Sequence, residues 1–484
     1  MGTIRRARLD VLVLLLALVA PAVAQDDAAT EAGKGGDGKD RIRFTGEIRV
    51  RAETQANYLD FNDDGTYFEG DPPVAVDDQI TFAPYRVRMG LEADITDSLL
   101  GLIELQVADA AGTDPAERSV LVSNRDPFDL YQAYIHWGSI DGSHSNLRIG
   151  RQELVLGNGF LFGNLPYYNG VSFDAIRYLW TDGSLRFNFW WANTNETFAL
   201  DRDTDLWSVE IGKGNDQGGD VSFYAHWIMN YDRSDQTPPQ DNNLLVVGFR
   251  WTKVDRPSGG PIWNFEFAWQ DGRVKDVIPD PEEPDLQGDL YIAAWGGEGL
   301  FGWSFQPASA THKVYLHAYY GSGDRDIGDR TDNNFNVLYQ NIHERLGRAD
   351  IVQGSNVYSL GIAYEATFGE RHGLGVDVMA FRIARPFDAT TQLAYPAGDF
   401  SGVGFAIPAG MFIDLPNADP NEDALGSELD LWYDYYYSKN LSFNFLLAYF
   451  APGDAIAQIN LNPTTFQRYD DPAYRAAVQA RLRF

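Results

Sequence analysis

The chain contains many short segments in which apolar and polar side chains alternate, and this pattern limits its fold more than any other feature. Eighteen such segments can be placed between Arg41 and Phe484. In residues 263–270 (WNFEFAWQ), for example, tryptophan and phenylalanine occupy every second position. Because successive side chains of a strand point to opposite faces, each segment predicts a β-strand with one apolar face and one polar face.

The connections between these segments alternate in length. Odd-numbered connections are long, such as residues 323–355 and 386–425, and even-numbered ones are short, such as residues 96–97 and 181–183. A β-sandwich or a repeat solenoid gives no reason for this alternation. A membrane barrel does, because it has an even number of strands, tight turns at one end and long loops at the other.

Most segments have the roughly 9–11 residues that a tilted membrane-spanning strand needs. We therefore predict an all-β fold: a transmembrane antiparallel up-and-down barrel of about 18 strands over residues 41–484, with both termini periplasmic. A large soluble sandwich or barrel is the alternative. It would need several domains, and the sequence shows no linker between them.

The N-terminal region predicts export. Residues 1–24 read as a signal peptide, with Arg5, Arg6 and Arg8 before an apolar stretch and Ala22-Val23-Ala24 as the cleavage site. Residues 25–40 are rich in Ala, Gly, Asp and Lys and predict a flexible leader.

The final segment, residues 473–484, alternates an apolar face with a basic face and ends on Phe484. This resembles the terminal signature of Gram-negative outer-membrane barrels. The resemblance implies that the barrel-assembly machinery is a partner, that the apolar face meets the lipid bilayer and that the arginine face lines the lumen. We expect a monomer in the outer membrane.

Composition excludes several classes of function. The net charge is −31, and removal of residues 1–24 takes away Arg5, Arg6, Arg8 and Asp10 to leave −33, so non-specific nucleic-acid binding is disfavoured. There is no cysteine, hence no disulfide and no thiolate chemistry. The seven histidines are scattered, with no nucleophile motif near them. We therefore predict a protein that is not an enzyme and has no cofactor.

Three groups of motifs resemble the alginate export family of outer-membrane porins, the group around the alginate secretion channel of pseudomonads. The first resembles the family's GRQ strand and the FDGVR strand after it, and the second resembles its SGD segment before a long loop. In order, the motifs are LRIGRQEL and SFDAIR at residues 147–154 and 172–177, HAYYGSGD at 317–324, and GSELD, YSKNL and YFAPGD at 426–430, 437–441 and 449–454. The resemblance implies an eighteen-stranded barrel with a basic constriction that attracts a polyuronate.

The polar faces of the segments carry charges of both signs. Arginine binds carboxylates well because its planar guanidinium can bond both oxygens and keeps its charge. The acidic residues on these faces are Glu47, Glu53, Glu92, Asp94, Glu104, Glu266, Glu428, Asp430 and Asp434. The candidate pore-lining residues are Arg43, Arg49, Arg51, Arg86, Arg88, Arg148, Arg151, Arg177, Arg250, Arg475 and Arg481. These arginines either select an anionic substrate or only brace the wall through ion pairs, and both readings stay open.

Arg151 is an even number of residues from Leu147 and Ile149, so it lies on the same face of the strand as these two side chains, which are predicted to face lipid. A charge facing lipid at mid-bilayer would cost about 2–4 kcal/mol. Either Arg151 lies above the bilayer, or a bulge near Gly150 turns it inward, and we favour the bulge.

One long connection has the spacing of a calcium loop. Asp60, Asn62 and Asp64 stand at its first, third and fifth positions, and Asp71 replaces the usual final Glu. Without flanking helices, a solvated acidic loop is favoured over an extracellular Ca²⁺ site.

We expect an outer-membrane channel for passive transport of an anionic polysaccharide such as alginate or a smaller anionic solute. Residues 323–355 and 386–425 are the longest connections and are expected to fold into the lumen. The alternatives are a general or cation-preferring porin, and a structural barrel whose long loops bind a partner.

Overall fold

The computed structural model describes residues 41–57, 61, 66–67, 74–75, 79–111, 128–140, 144–197, 202–215, 218–232, 240–253, 259–279, 287–307, 309–325, 329–341, 343–385, 423–459 and 470–484. The expected signal peptide and leader, and Asp60, Asn62, Asp64 and Asp71 of the calcium hypothesis, lie outside the described residues. So does most of the connection 386–425.

Eighteen long strands form the barrel wall, and each one corresponds to one predicted segment. They are β1 (Ile42–Ala56), β4 (Ile80–Asp94), β5 (Leu99–Ala111), β6 (Phe128–Gly138), β7 (Ser145–Gln152), β8 (Phe173–Asp182), β9 (Leu185–Thr197), β10 (Arg202–Gly214), β11 (Gly219–Asp232), β12 (Gln240–Lys253), β13 (Gly260–Pro279), β14 (Gln287–Phe305), β15 (Ala310–Gly321), β17 (Val357–Phe368), β18 (His372–Ile383), β19 (Ala424–Tyr436), β20 (Leu441–Pro452) and β21 (Ala473–Arg483). In the described parts of the connections there are three two-residue strands: β2 (Thr66–Tyr67), β3 (Val74–Ala75) and β16 (Thr331–Asp332). A short helix, α1 (Asp454–Ile459), follows β20.

The sheet closes on itself. Each wall strand pairs antiparallel with the next, and β21 pairs with β1, with Ile48 opposite Leu482 and Arg49 opposite Arg481. Closure satisfies the backbone hydrogen bonds of both outer strands, which a membrane requires. The predicted eighteen-stranded barrel is confirmed.

Side chains alternate between the two faces of the wall as predicted. Large apolar residues such as Phe44, Phe223 and Leu360 point outward and are 77%, 64% and 62% exposed on the isolated chain. Their strand neighbours point into the lumen. Outward tryptophans and phenylalanines also pack in pairs, for instance Trp251 with Trp263 at 5.1 Å between ring centroids. This apolar outer surface is the one that a bilayer covers.

The two ends of the barrel differ. Tight connections, such as the turn at Gly183 between β8 and β9, lie at one end, together with Arg41 and Phe484; we call it the turn end. The long connections lie at the other end, the loop end. No helix in the described part of the chain is long and apolar enough to cross a membrane.

Candidate functional site: the barrel lumen

Two long connections fold from the loop end into the lumen. Residues 153–172, between β7 and β8, form the first inner loop, and the described residues of the range 322–356, between β15 and β17, form the second. Phe160 and Phe162 of the first loop and Leu346 of the second are fully buried. We call the two loops together the plug. The second loop contains the connection 323–355, which the sequence predicts to turn inward, whereas the sequence analysis does not single out the first loop.

The two loops are hydrogen-bonded to each other as well as packed. Tyr339 N–H donates to Leu161 O at 3.0 Å, and Gly163 N–H donates to Tyr339 O at 2.8 Å. A third bond runs from Asn341 N–H to Gly159 O at 2.9 Å. The plug is therefore one unit made from two distant parts of the chain.

An apolar core joins the plug to one side of the wall. The ring of Phe162 lies 5.2 Å from Trp190 and 4.9 Å from His226, both from inward positions of the wall. Phe160 stacks on Phe335 of the second loop at 5.7 Å. Burial of aromatic side chains on this scale holds the plug against β9 to β14.

Arginines hold the plug on the opposite side. Arg49 donates to Pro166 O and Tyr168 O, both at 2.6 Å. Four predicted pore-lining arginines bind backbone carbonyls of the first inner loop in this way; the others are Arg51 to Tyr167 O, Arg86 to Tyr168 O and Arg88 to Asn169 O, all at 2.9 Å. Their charge therefore serves the protein's own loop, which supports the bracing reading for these four.

The acidic strand β19 holds the second inner loop by its backbone N–H groups. Ala349 N–H donates to Glu428 at 2.7 Å, and Arg348 N–H donates to Asp430 at 3.0 Å. Gly347 precedes them with φ of +92°, and a Cβ on it would lie 2.3 Å from the Glu428 carboxylate. Only glycine allows this close approach with this backbone.

A buried charge network centres on Asp350 of the second inner loop. Its carboxylate accepts hydrogen bonds from His343 Nδ1 at 2.9 Å, from Tyr168 and from Arg475 on β21. Arg475 also pairs with Glu53 on β1 at 3.0 Å. Asp350 thus ties both inner loops to the seam where β21 meets β1.

The environment of this network shifts two titrations. Burial opposes ionisation of Asp350, but His343 and Arg475 hold its pKa below the usual range. Burial disfavours the imidazolium of His343 and lowers its pKa, although Asp350 opposes this. The rings of Tyr167 and His343 stack with 3.4 Å between their centroids, and the guanidinium of Arg51 lies 3.7 Å from the centroid of the Tyr167 ring.

Several other predicted arginines are compensated by wall carboxylates. Arg250 donates to Glu210 at 2.6 Å, Arg43 bonds Glu92 at 2.8 Å as well as Asp94, and Arg481 lies 3.6 Å from Glu47. With Arg475, these arginines brace the wall: Arg250 reaches across β11 to β10, and the others join neighbouring strands.

Arg148 and Arg177 are different. They stand directly opposite each other on β7 and β8. Arg148 lies over the ring of Tyr134 at 4.4 Å, and Arg177 donates to Asn188 at 3.0 Å. Neither forms an ion pair with a carboxylate of the described residues. The pair therefore differs from the arginines above, each of which binds a plug carbonyl or a wall carboxylate.

The expected position of Arg151 is wrong. The pairing of β7 with β8 runs through Gly150 and Arg151 without a register shift, so no bulge turns the side chain inward. Arg151 keeps the outward parity of Ile149 and forms a two-pronged pair with Asp174 at 2.8 and 2.9 Å. It lies one residue from the loop end of β7, where an exposed pair avoids the cost of a charge at mid-bilayer.

A cavity of about 640 Å³ lies between the plug and the turn end. Its lining includes Tyr167, Arg345 and Arg348 of the plug, His317 and Trp432 of the wall, and Lys439 in the turn between β19 and β20. No group of three or more potential metal ligands occurs among the residues that the structure describes.

The plug residues His343, Arg345 and Arg348 were not among the candidates drawn from the sequence. The signal for them was present, because both inner loops carry an apolar content that exposed loops rarely have: LVLGNGFLFG at 154–163 and FNVLYQ at 335–340. Such segments bury their side chains, and inside a barrel that means the lumen.

Sequence and structure comparisons agree with this architecture. The model of the alginate export family matches residues 41–465. Among solved structures, OpdL of Pseudomonas aeruginosa is 9% identical with a TM-score of 0.50, covering 92% of this chain and 98% of that one. OccAB1 of Acinetobacter baumannii is 10% identical with a TM-score of 0.49, covering 92% and 97%.

The similarity to OpdL concerns the fold alone. No curated protein matches the sequence significantly. The family match covers most of the chain, and it agrees with the closed eighteen-stranded wall and its apolar outer surface. The chain therefore belongs to the alginate export family of outer-membrane β-barrel channels.

Proposed function

We propose that this protein is a passive outer-membrane channel for anions, and that an acidic polysaccharide such as alginate or a smaller carboxylated solute is its substrate. The turn end would face the periplasm. The observation that carries the proposal is the facing pair Arg148 and Arg177, neither of which forms an ion pair with a described carboxylate.

Two like charges at facing positions of neighbouring strands repel each other, because such side chains are about 5 Å apart at Cβ. A bound anion removes that repulsion. Guanidinium groups bond carboxylates through paired N–H groups, so the pair suits a carboxylate well. By contrast, Glu428 and Asp430 on the acidic strand already accept hydrogen bonds from the plug. The charge left for a solute is therefore positive at this part of the wall.

The reversal potential of the purified full chain in planar bilayers, under a salt gradient, tests the proposal. We expect anion selectivity. The double variant Arg148→Gln with Arg177→Gln should reduce it clearly, because both uncompensated charges are gone. Arg151→Gln is the matched control, since it removes an arginine of β7 whose side chain faces outward. Cation selectivity of the wild type, or an equal effect of the control, would contradict the proposal.

A second candidate is a structural barrel whose long loops bind a partner. The plug favours it, because the two inner loops make contacts with several sides of the lumen. This candidate predicts no ion conductance, even when the contacts of the plug are weakened. A channel predicts conductance that increases in the same variants.

A further inference from the structure

The lysines of the wall collect at the turn end of the barrel. The lysines whose side chains the structure describes all lie in a tight turn or at the turn end of a strand; they are Lys213, Lys253, Lys313 and Lys439. Lys213 is the last residue but one of β10, and Lys253 is the last residue of β12. In a chain with a net charge of −31, these lysines place positive charge at one end of the barrel.

Lys213 and Lys253 face away from the lumen. Residues two apart in a strand share a face, and Lys213 stands two positions after Ile211, which is exposed on the outer surface. Lys253 stands two positions after the exposed Trp251, and its Nζ lies 5.0 Å from the ring centroid of Trp263. Neither lysine forms an ion pair with a carboxylate that the structure describes.

Outward arginines at the loop end are paired, by contrast. Arg151 pairs with Asp174 at 2.8 Å. Arg273 pairs with Asp289 at 3.3 Å. An exposed ammonium group without a carboxylate partner can bind an anion from outside the wall, and beside a bilayer such anions are the headgroups of lipids.

A groove in the outer surface adjoins Lys213. Its volume is about 380 Å³, and its lining consists of Tyr178, Trp180, Leu185, Arg186, Phe187 and Ile211, from β8, β9 and β10. Leu185 stands directly opposite Lys213 in the pairing of β9 with β10, so the lysine lies beside the groove on its turn-end side. The guanidinium of Arg186 bonds Asp220 at 3.1 Å, which leaves Lys213 as the cation that is open to a ligand here.

The rest of the lining suits a hydrocarbon chain. The rings of Tyr178 and Phe187 lie 6.4 Å apart between centroids, and the other side chains are an indole and two aliphatic groups. Asp182 faces outward at the level of Lys213, but β9 lies between the two residues. Because lysine carries its charge on a long flexible stem, it can reach a headgroup while the rings contact the acyl chain.

We propose that Lys213 and this groove form a binding site for one anionic glycerophospholipid, with an acyl chain in the groove and the phosphate on Lys213. The groove faces the bilayer, so its ligand differs from any solute in the lumen. The inference rests on the proposed function only for its orientation: with the turn end at the periplasm, the lipid belongs to the periplasmic leaflet of the outer membrane.

Titration of the full chain in detergent with phosphatidylglycerol, followed by native mass spectrometry, tests the phosphate contact. Zwitterionic phosphatidylcholine is the comparison lipid and should bind more weakly. Lys213→Gln should weaken the first phosphatidylglycerol bound about fivefold, as expected for the loss of one lysine at a membrane surface. Lys213→Arg should keep the affinity.

Two matched variants each remove a lysine of the turn end elsewhere. Lys253→Gln changes an outward lysine that β11 separates from β10, and Lys313→Gln changes one whose strand neighbour Val314 faces outward, so that it faces the lumen itself. Both should leave the first lipid bound as in the wild type. An equal loss in Lys253→Gln, unchanged binding in Lys213→Gln, or equal binding of the two lipids by the wild type would overturn the inference.

Filling the groove tests the acyl-chain contact. Ile211→Trp should weaken binding of both lipids although Lys213 is intact, whereas Val209→Trp, also on the outer face but outside the groove lining, should not. Heat-modifiable gel mobility shows that each variant is folded. Equal effects of the two tryptophans would refute the groove as the site. Lipid binding in detergent does not depend on ion flow, so loss of this site leaves the anion selectivity of the proposed function standing, and cation selectivity would contradict that function without touching the lipid site.

Discussion

Replacing Asp350 by Asn should release the plug from the wall. Asp350 accepts hydrogen bonds from His343, Tyr168 and Arg475, and its side chain is almost fully buried. Its φ is +60°, a left-handed conformation that asparagine tolerates better than most residues. Asparagine therefore keeps the size of the side chain and the backbone conformation. It removes the negative charge and places an NH₂ group, itself a donor, next to the hydrogen-bond donors of the neighbouring residues.

The size of the effect follows from the burial of the pair. Removing one partner of a buried ion pair costs about 3–5 kcal/mol, because the other charge stays desolvated and unpaired. Arg475 would retain Glu53, so the lower part of the range is expected. At about 1.4 kcal/mol for each factor of ten, about 3 kcal/mol changes the ratio of docked to released plug by roughly 100-fold.

Single-channel recording in planar bilayers measures this change as the ratio of open to closed time. Glu344→Gln is the matched control, because it removes an acid of the same loop whose side chain is 73% exposed. Both variants should show the heat-modifiable mobility of a folded barrel in gel electrophoresis. If Asp350→Asn is folded and its open-to-closed ratio stays within tenfold of the wild type, the assigned role of this network is refuted.

Two further predictions concern pH and the wall. Because the pKa of His343 is lowered in the docked plug, the docked plug binds fewer protons than the released one. Docking is therefore strongest above about pH 6.5 and weakens as the pH falls through that value. The pKa of Asp350 is also lowered, and its contribution to docking is lost only below about pH 3.9. Open time should therefore increase between pH 7.5 and 5 and do so far less in His343→Asn, and a decrease would contradict the sign. In the wall, Gly150→Ala should lower the unfolding temperature of the barrel, which heat-modifiable gel mobility measures. The φ angle of Gly150 is +122°, and a Cβ on this residue would lie 2.2 Å from the carbonyl oxygen of Ala133. The resulting strain is about 1–3 kcal/mol. Gly101→Ala, with Ile95 at 3.8 Å, is the control, and an equal effect of both changes would contradict the reasoning.

The wall could be predicted from the sequence because its signal is local. Alternation in residues such as Trp263 to Gln270 fixes both the strand and its faces, and closure then follows from the need to pair every edge in a membrane. Parity also placed Arg49, Arg86 and Arg177 in the lumen. It failed to decide Arg151, because a single glycine before it allows either a bulge or a continuous strand, and the pairing with Asp174 settles which one forms.

The interior could be predicted only in part, because its contacts join distant parts of the chain. Nothing near Arg49 in the sequence shows that its partners are the carbonyls of Pro166 and Tyr168. Loop length pointed to the second inner loop, yet the first is shorter and equally buried. Apolar content would have been the better guide, since Phe160 and Phe162 could not remain in a solvated loop.

The hydrogen bond from Gln340 to Phe160 O joins residues 180 positions apart, and strands β8 to β15 lie between them. Contacts with so large a sequence separation close slowly, because the intervening chain must be ordered before they can form. The wall, by contrast, grows mostly by hairpins between neighbouring strands. By the same argument most hairpins of the wall can form before the plug docks, whereas the seam between β1 and β21, where Arg49 lies opposite Arg481, joins parts of the chain still farther apart and waits for the last strand.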